Sequence, residues 1–247
     1  MRLILHIGMH KTGSSAIQHV FSRNRRVLAL TGLHYATGGR WPKHTPLFEA
    51  SSHQNDHGIP HPVHGPVSDL LRALPDRGTV LVSAEGLSGP HPGHAAHFAG
   101  CRPEIVVVLR NPVDWAPAMH AQMVRSRTVR EARTLADWVN DPMTKVHLDY
   151  AALIERWQQV GPVRVVPYEA AILPAFLTTA GLPKWIAALP GGRVRRNITP
   201  KAEVIEDLRR QNGGDAGSGP VPDLRALADI QRARVMALGH PAPWPSD

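Results

Sequence analysis

The sequence predicts an α/β protein, a three-layer sandwich with a central, mainly parallel sheet. Two observations predict it. Four short apolar runs rich in β-branched residues recur along the chain: RLILHI (2–7), TVLVS (79–83), EIVVVLR (104–110) and VRVVPY (163–168). Near-continuous runs of this length are typical of strands covered on both faces. Between and after them lie stretches in which apolar residues recur at helical spacing, at 113–130, 134–139, 148–159, 169–180, 203–211 and 224–238. Strands alternating with helices favour parallel strands joined by helical crossovers.

Taken in chain order, the first strand runs straight into a glycine. From Ser14 onward Ala16, Ile17, Val20 and Phe21 recur at helical spacing, so LHIGMHKTGSSAIQ (5–18) reads as strand, loop and helix. Residues 37–66 and 86–100 are rich in Gly, Pro and His and are predicted to be long loops over the carboxyl edge of the sheet. The stretch NGGDAGSGPVPD (212–223) is predicted to be a flexible connection. Residues 1–239 are predicted to form one domain, and 240–247, GHPAPWPSD without its first glycine, a flexible tail.

The formal net charge of +8 is compatible with an anionic partner, a solvated basic face being the alternative. The basic residues are scattered in short clusters (Arg23, Arg25 and Arg26; Arg193, Arg195 and Arg196; Arg209 and Arg210). A long Lys/Arg run and an RNA-binding aromatic motif are both lacking, which argues against nucleic acid. The single cysteine, Cys101, excludes an intramolecular disulfide and a cysteine-based zinc site, and a buried, inert thiol is expected. The sequence carries neither a secretory leader pattern nor an 18-residue apolar run, so a cytoplasmic protein without a membrane span is expected.

At the end of the first strand, residues 8–15 would offer backbone N–H groups and a helix N-terminus to an anion. Gly8 and Gly13 permit a tight turn and close approach of a phosphate. Ser14 and Ser15 would donate hydroxyl hydrogen bonds and cap the helix. Lys11, inside the turn, would place an ammonium over the phosphate. The order differs from the triphosphate loop G-x-x-x-x-G-K-[ST], because here lysine precedes the second glycine. A second motif, Arg110-Asn111-Pro112, ends the run EIVVVLR. It puts a guanidinium at the carboxyl edge of the sheet, with Pro112 opening the next helix and Asp114 in its first turn.

Together these two motifs resemble the sulfotransferases that use 3′-phosphoadenosine 5′-phosphosulfate (PAPS). That family has a P-loop NTPase-like fold. Its loop P-K-[ST]-G-[ST]-[ST] holds the 5′-phosphosulfate, and R-[ND]-P helps hold the 3′-phosphate. His10-Lys11-Thr12-Gly13-Ser14-Ser15 matches the loop, with His10 in the place of proline. The resemblance implies that Lys11 contacts the bridging oxygen and stabilises the leaving phosphate, in line with electrostatic stabilisation of developing charge. It also implies that Arg110 contacts the 3′-phosphate. The serine that commonly follows that arginine by eight residues is Ala118 here, and Ser126 lies further along the same helix. The tryptophan that follows the loop in many small-molecule members is Ala16. The loop is similar to HIGxxKTGTTxxQ strings in bacterial and carbohydrate-directed members.

LVSAEGLSG (81–89) resembles the [ST]-[SA]-E that ends a middle strand in such members, which makes Glu85 the candidate base for an acceptor hydroxyl. A salt-bridge partner for lysine or arginine is the alternative role for that carboxylate. RVRRNITPKAEVIEDLRRQN (193–212) resembles the family's late segment, so Arg195, Arg196 and Asn197 are candidate phosphate contacts.

Of fifteen histidines, His53, His57, His61 and His64 form one group and His91, His94 and His97 another. Gly58, Pro60 and Pro62 break the helix that would align the first group, so no metal site is expected. His44, His53 and His57 are candidate acceptor contacts, and a histidine, including His10, is the second candidate base.

The expected function is transfer of a sulfuryl group from PAPS to a hydroxyl, or an amine, of a carbohydrate or small metabolite by in-line displacement. Lysine, loop amides and helix dipole supply the positive field, so no metal is required. The rivals are a P-loop phosphotransferase or NTPase and a non-catalytic module that binds nucleotides or polyanions. The first would need Lys-[ST] after the second glycine and an acidic magnesium ligand ending a strand.

Overall fold

The computed structural model describes residues 1–36, 74–89, 93–168, 171–192, 200–215, 220 and 222–245. The chain divides into two compact units: Met1–Leu109 with Ala152–Arg195, and Arg110–Ala151 with Arg196–Asp247.

The first unit holds a five-stranded, wholly parallel sheet: β1 Arg2–His6, β2 Leu33–Tyr35, β3 Thr79–Ser83, β4 Glu104–Leu109 and β5 Val163–Pro167, in spatial order β2-β3-β1-β4-β5. Among its described residues the helices are α1 Ser14–Arg23, α2 Arg25–Leu30, the short α3 Gly93–Ala96 and α8 Ile172–Thr179. Its described residues also hold two 3-10 turns, Glu85–Ser88 and Lys184–Ala188. One face of the sheet presents Ile4, Leu81, Val106, Val108 and Val166 to Ile17, Val20 and Phe21 of α1 and to Leu173, Phe176 and Leu177 of α8. The alternate residues Leu3, Leu5, Val80, Val82, Ile105 and Val107 are equally buried. Both faces of the sheet are therefore covered, which is why its strands read as unbroken apolar runs. The chain lays β2 and β3 to one side of β1 and β4 and β5 to the other. Carboxyl ends at such a reversal are where open α/β sheets bind ligands.

The second unit is helical among its described residues: α4 Pro112–Arg125, α5 Leu135–Asn140, α6 Pro142–Leu148, α9 Ala202–Gln211 and α10 Leu224–Ala237. The remaining helix, α7 Tyr150–Gln158, begins in this unit and continues into the first. Caps set several starts. Asn111 Oδ1 accepts from Val113 N at 3.0 Å, with Pro112 in the first turn of α4. Asp141 caps α6 and Asp223 caps α10 in the same way.

The elements differ from the sequence expectation at identifiable points. β2, α2, α3 and α6 are additional, and α4 ends at Arg125 rather than 130 because Ser126 is extended. The thiol of Cys101 is half-buried, not fully buried, because it sits in the turn leading into β4. Residues 240–245, within the expected tail, carry no helix or strand. Trp244 there is buried edge-on to Tyr150, and its carbonyl accepts from Arg232 Nε at 3.0 Å. Among the described residues no helix is long and apolar enough to cross a membrane.

Candidate functional site

The loop after β1 is built around its own backbone. Lys11 has φ +64° and Gly13 φ +78°, both in the left-handed region. For a lysine this conformation costs about 1–2 kcal/mol and marks a turn held by its surroundings. Thr12, fully buried, donates its hydroxyl to the Met9 carbonyl at 2.6 Å, and the Ser14 hydroxyl donates to the same oxygen at 3.3 Å. These two bonds close the turn beneath Lys11.

Two glycines are required sterically. A Cβ on Gly8 would lie 2.2 Å from Ser14 Oγ and 2.9 Å from the His6 ring. A Cβ on Gly13 would lie 2.8 Å from Ile172 Cγ2, and the residue is also left-handed.

The expected capping by Ser14 and Ser15 needs correction. The N-cap of α1 is Gly13, with no side-chain cap bond among the described residues, and Ser14 instead turns its hydroxyl into the loop. The helix starts at Ser14, so both serines lie within its first turn. That turn carries no acidic residue. An N-terminus with neither a side-chain cap nor a carboxylate keeps its positive end available to an anion.

Beneath the loop, on the α1 and α8 face of the sheet, His6 and Ser83 are opposite each other in the β1–β3 register. His6 Nδ1 and Ser83 Oγ are 2.8 Å apart. The ring packs against Phe176 at 5.0 Å. Burial pushes the His6 pKa down to about 4, against a smaller opposing pull from the Glu85 carboxylate. His6 is therefore neutral at pH 7. Neither residue was singled out from the sequence. The available signal was a polar residue closing each of two otherwise apolar strands.

Glu85 opens the 3-10 turn that follows β3 and is buried. Its carboxylate Oε2 lies 3.4 Å from Nδ1 of His10. The turn is held from α7, where Trp157 Nε1 donates to the Leu87 carbonyl at 3.3 Å and Arg156 Nη2 to the Gly89 carbonyl at 2.7 Å. The loop and the β3 turn thus bring His10 and Glu85 together.

The second unit carries the Arg110 motif. Tyr150 donates its hydroxyl to the Arg110 carbonyl at 2.9 Å, fixing the backbone before α4. A cavity of about 540 Å³ is lined by Arg110, Ala118, His120, Thr134, Ile205 and Glu206, among others. Ala118 offers it a methyl group where a serine would offer a hydroxyl. Ser126 does not line this cavity, and its Oγ accepts from Val129 N at 3.1 Å. His120 sits on the cavity wall with Nε2 2.9 Å from the Arg133 carbonyl, and burial lowers its pKa.

Six of the sequence candidates, Arg195, Arg196, Asn197, His44, His53 and His57, lie outside the described residues. Among the described residues no group of three or more His, Cys, Asp or Glu could hold a metal ion.

No family model matches the chain, and no curated protein does. Among solved structures it is similar to a sulfotransferase from Alicyclobacillus acidocaldarius, with 19% identity over 96% of this chain and 95% of that one and a TM-score of 0.49. It is also similar to the mouse sulfotransferase SULT7A1 complexed with PAP, with 12% identity over 89% of this chain and 70% of that one and a TM-score of 0.41. These structural neighbours are sulfotransferases.

Proposed function

We propose that the chain is a sulfotransferase that moves the sulfuryl group of PAPS to a hydroxyl, or less readily an amine, of a carbohydrate or small metabolite. The observation that carries this reading is the loop between β1 and α1. It combines the sequence His10-Lys11-Thr12-Gly13-Ser14-Ser15 with left-handed backbone at Lys11 and Gly13 and a helix N-terminus without a side-chain cap. Such a loop suits a phosphate-bearing ligand held by backbone N–H groups and one point charge.

In this reading Gly8 and Gly13 admit the phosphosulfate to the backbone, and Thr12 and Ser14 hold the turn closed through Met9. Lys11 faces the oxygen on which negative charge develops as the sulfuryl group leaves. The His10 and Glu85 pair serves the acceptor side. Arg110, Arg195, Arg196 and Asn197 are proposed for the 3′-phosphate on the strength of their motifs, and His44, His53 and His57 for the acceptor. The chain is proposed to act in the cytoplasm, as one sulfotransferase-like domain.

Calorimetric titration with 3′-phosphoadenosine 5′-phosphate (PAP) and, separately, with ATP tests the reading. PAP is expected to bind at least about 100-fold more tightly, a difference near 3 kcal/mol. Preference for ATP would sink the proposal in favour of a phosphotransferase.

A further inference from the structure

On the sulfotransferase reading, two neighbouring groups, His10 and Glu85, stand as candidates for the acceptor side. We propose that His10 is the catalytic base and that Glu85 is the residue that positions it.

The first support is accessibility. The His10 and Glu85 side chains are 3.4 Å apart, yet that of His10 is 33% exposed and that of Glu85 only 9%. An acceptor arriving from solvent meets the imidazole first, with the carboxylate behind it. The second support is rigidity. Glu85 opens a turn fixed by Trp157 Nε1 on the Leu87 carbonyl, Arg156 Nη2 on the Gly89 carbonyl and Ser88 Oγ on the carbonyl of Glu85 itself. A carboxylate so placed is suited to orienting an imidazole and stabilising its cation.

The third support is the surroundings of the carboxylate. Glu85 acts on two imidazoles, His10 and His6. His6 is completely buried and bonded to Ser83, so it stays neutral and out of reach of an acceptor. Of these two rings, His10 is the one that an acceptor can reach. Finally, His10 precedes Lys11 in the chain, so the left-handed turn at Lys11 that sets the ammonium also sets the ring. The 3.4 Å separation is long for a hydrogen bond, as is common for catalytic pairs before substrate binds.

The step balances as follows. The acceptor oxygen forms a bond to sulfur while the bond between sulfur and the bridging oxygen breaks. That electron pair stays on the phosphate of PAP, opposite Lys11. The acceptor's proton passes to His10 Nε2, while Nδ1–H donates to Glu85 Oε2. The imidazolium then returns its proton to solvent.

The test uses the full chain with PAPS as the probe, reading release of PAP as the sulfuryl group passes to water or to each of a panel of sugar and phenol acceptors, with PAP affinity measured alongside. His10→Gln should lower PAP release about 100-fold or more, the usual contribution of a positioned base, while PAP affinity stays within about threefold of wild type. Added imidazole should restore turnover to His10→Ala and not to Glu85→Gln, a distinction that a merely structural role for either residue would not produce. Full turnover in His10→Gln together with loss in Glu85→Gln would overturn the inference, making Glu85 the base and leaving the sulfotransferase reading intact. Wild-type protein that fails to bind PAP would overturn both, and protein that binds PAP but leaves PAPS intact with every acceptor would overturn the inference as well.

Discussion

Two polar regions of the molecule are built on opposite terms. In the second unit a network around Glu131, Arg133 and Arg209 is dense with partners. Glu131 accepts from Arg133 through Nε and Nη2 at 2.9 and 2.7 Å and from the backbone N–H groups of Ala132 and Arg133. Arg133 also reaches Asp141 at 2.8 Å. Arg209, 3% exposed, donates to both oxygens of Glu206 and to the carbonyls of Ala132 and Asp215. These partners hold the Glu131 carboxyl below its ordinary range and pull that of Glu206 down to about 2. Such a network fixes a fold.

Around the loop of the first unit the polar groups are buried with fewer partners. His6 Nε2 and both amide atoms of Gln18 have no hydrogen-bond partner among the described residues. The backbone above them is left-handed at Lys11. Unsatisfied buried polar atoms and backbone strain are costs that a fold carries where something other than stability is at stake. Left-handed backbone also occurs in the second unit, at Arg130, so the contrast lies in the partners: those of Glu131 and Arg209 are many, those of His6 Nε2 and the Gln18 amide few.

The largest effect expected from this contrast concerns His6. Its pKa is ordinarily 6.5 and is about 4 in the folded chain, so between these values the unfolded chain binds a proton that the folded one refuses. The associated stability is complete above pH 6.5 and is lost as pH falls toward 4. The loss is on the order of 3 kcal/mol. Urea midpoints at pH 7 and pH 4.5 should therefore differ markedly for wild type and much less for His6→Gln. Equal acid sensitivity in the two would break the contrast at its base.

A smaller effect belongs to Gly8→Ala. The added methyl meets the Ser14 hydroxyl and the His6 ring, both already engaged with partners. Stability should fall by about 1–3 kcal/mol, as for overpacking elsewhere. Nucleotide binding should fall further than stability explains, because Ser14 helps close the loop. Isothermal titration beside thermal unfolding checks the two quantities together.

The smallest effect is predicted in the other region. Arg210, 69% exposed, touches Glu206 at 3.1 Å as a surface pair. Arg210→Ala should change stability by less than about 0.5 kcal/mol and leave PAP binding as it was. A large loss would mean that the network reaches further than its bonds indicate.

Much of the scaffold was legible in advance, for a physical reason. A parallel strand buried on both faces must be apolar along its length, so β1, β3, β4 and β5 could be placed within a residue or so. β2 has three residues, Leu33–Tyr35, too few to show any period. Helix ends were less legible, since they depend on single caps and turns. Asp149 interrupts the stretch read as 148–159 and separates α6 from α7. In the loop, the tight turn at Gly8 and Gly13 could be read because glycines between a strand and a helix mark close backbone approach and left-handed backbone. The pairing of His6 with Ser83 could not, because it requires the register between two strands 77 residues apart. The closeness of His10 to Glu85 had the same obstacle.

The central claim, that the Lys11 loop holds a phosphosulfate, is tested most directly by comparing wild type with Lys11→Ala for release of PAP from PAPS. The variant is expected to keep its fold and its thermal stability, since alanine bears the same left-handed backbone cost as lysine at this position. The account predicts a fall in turnover of about 10²–10³-fold, as for removal of a principal group stabilising developing charge. Turnover in Lys11→Ala equal to that of wild type would contradict the claim.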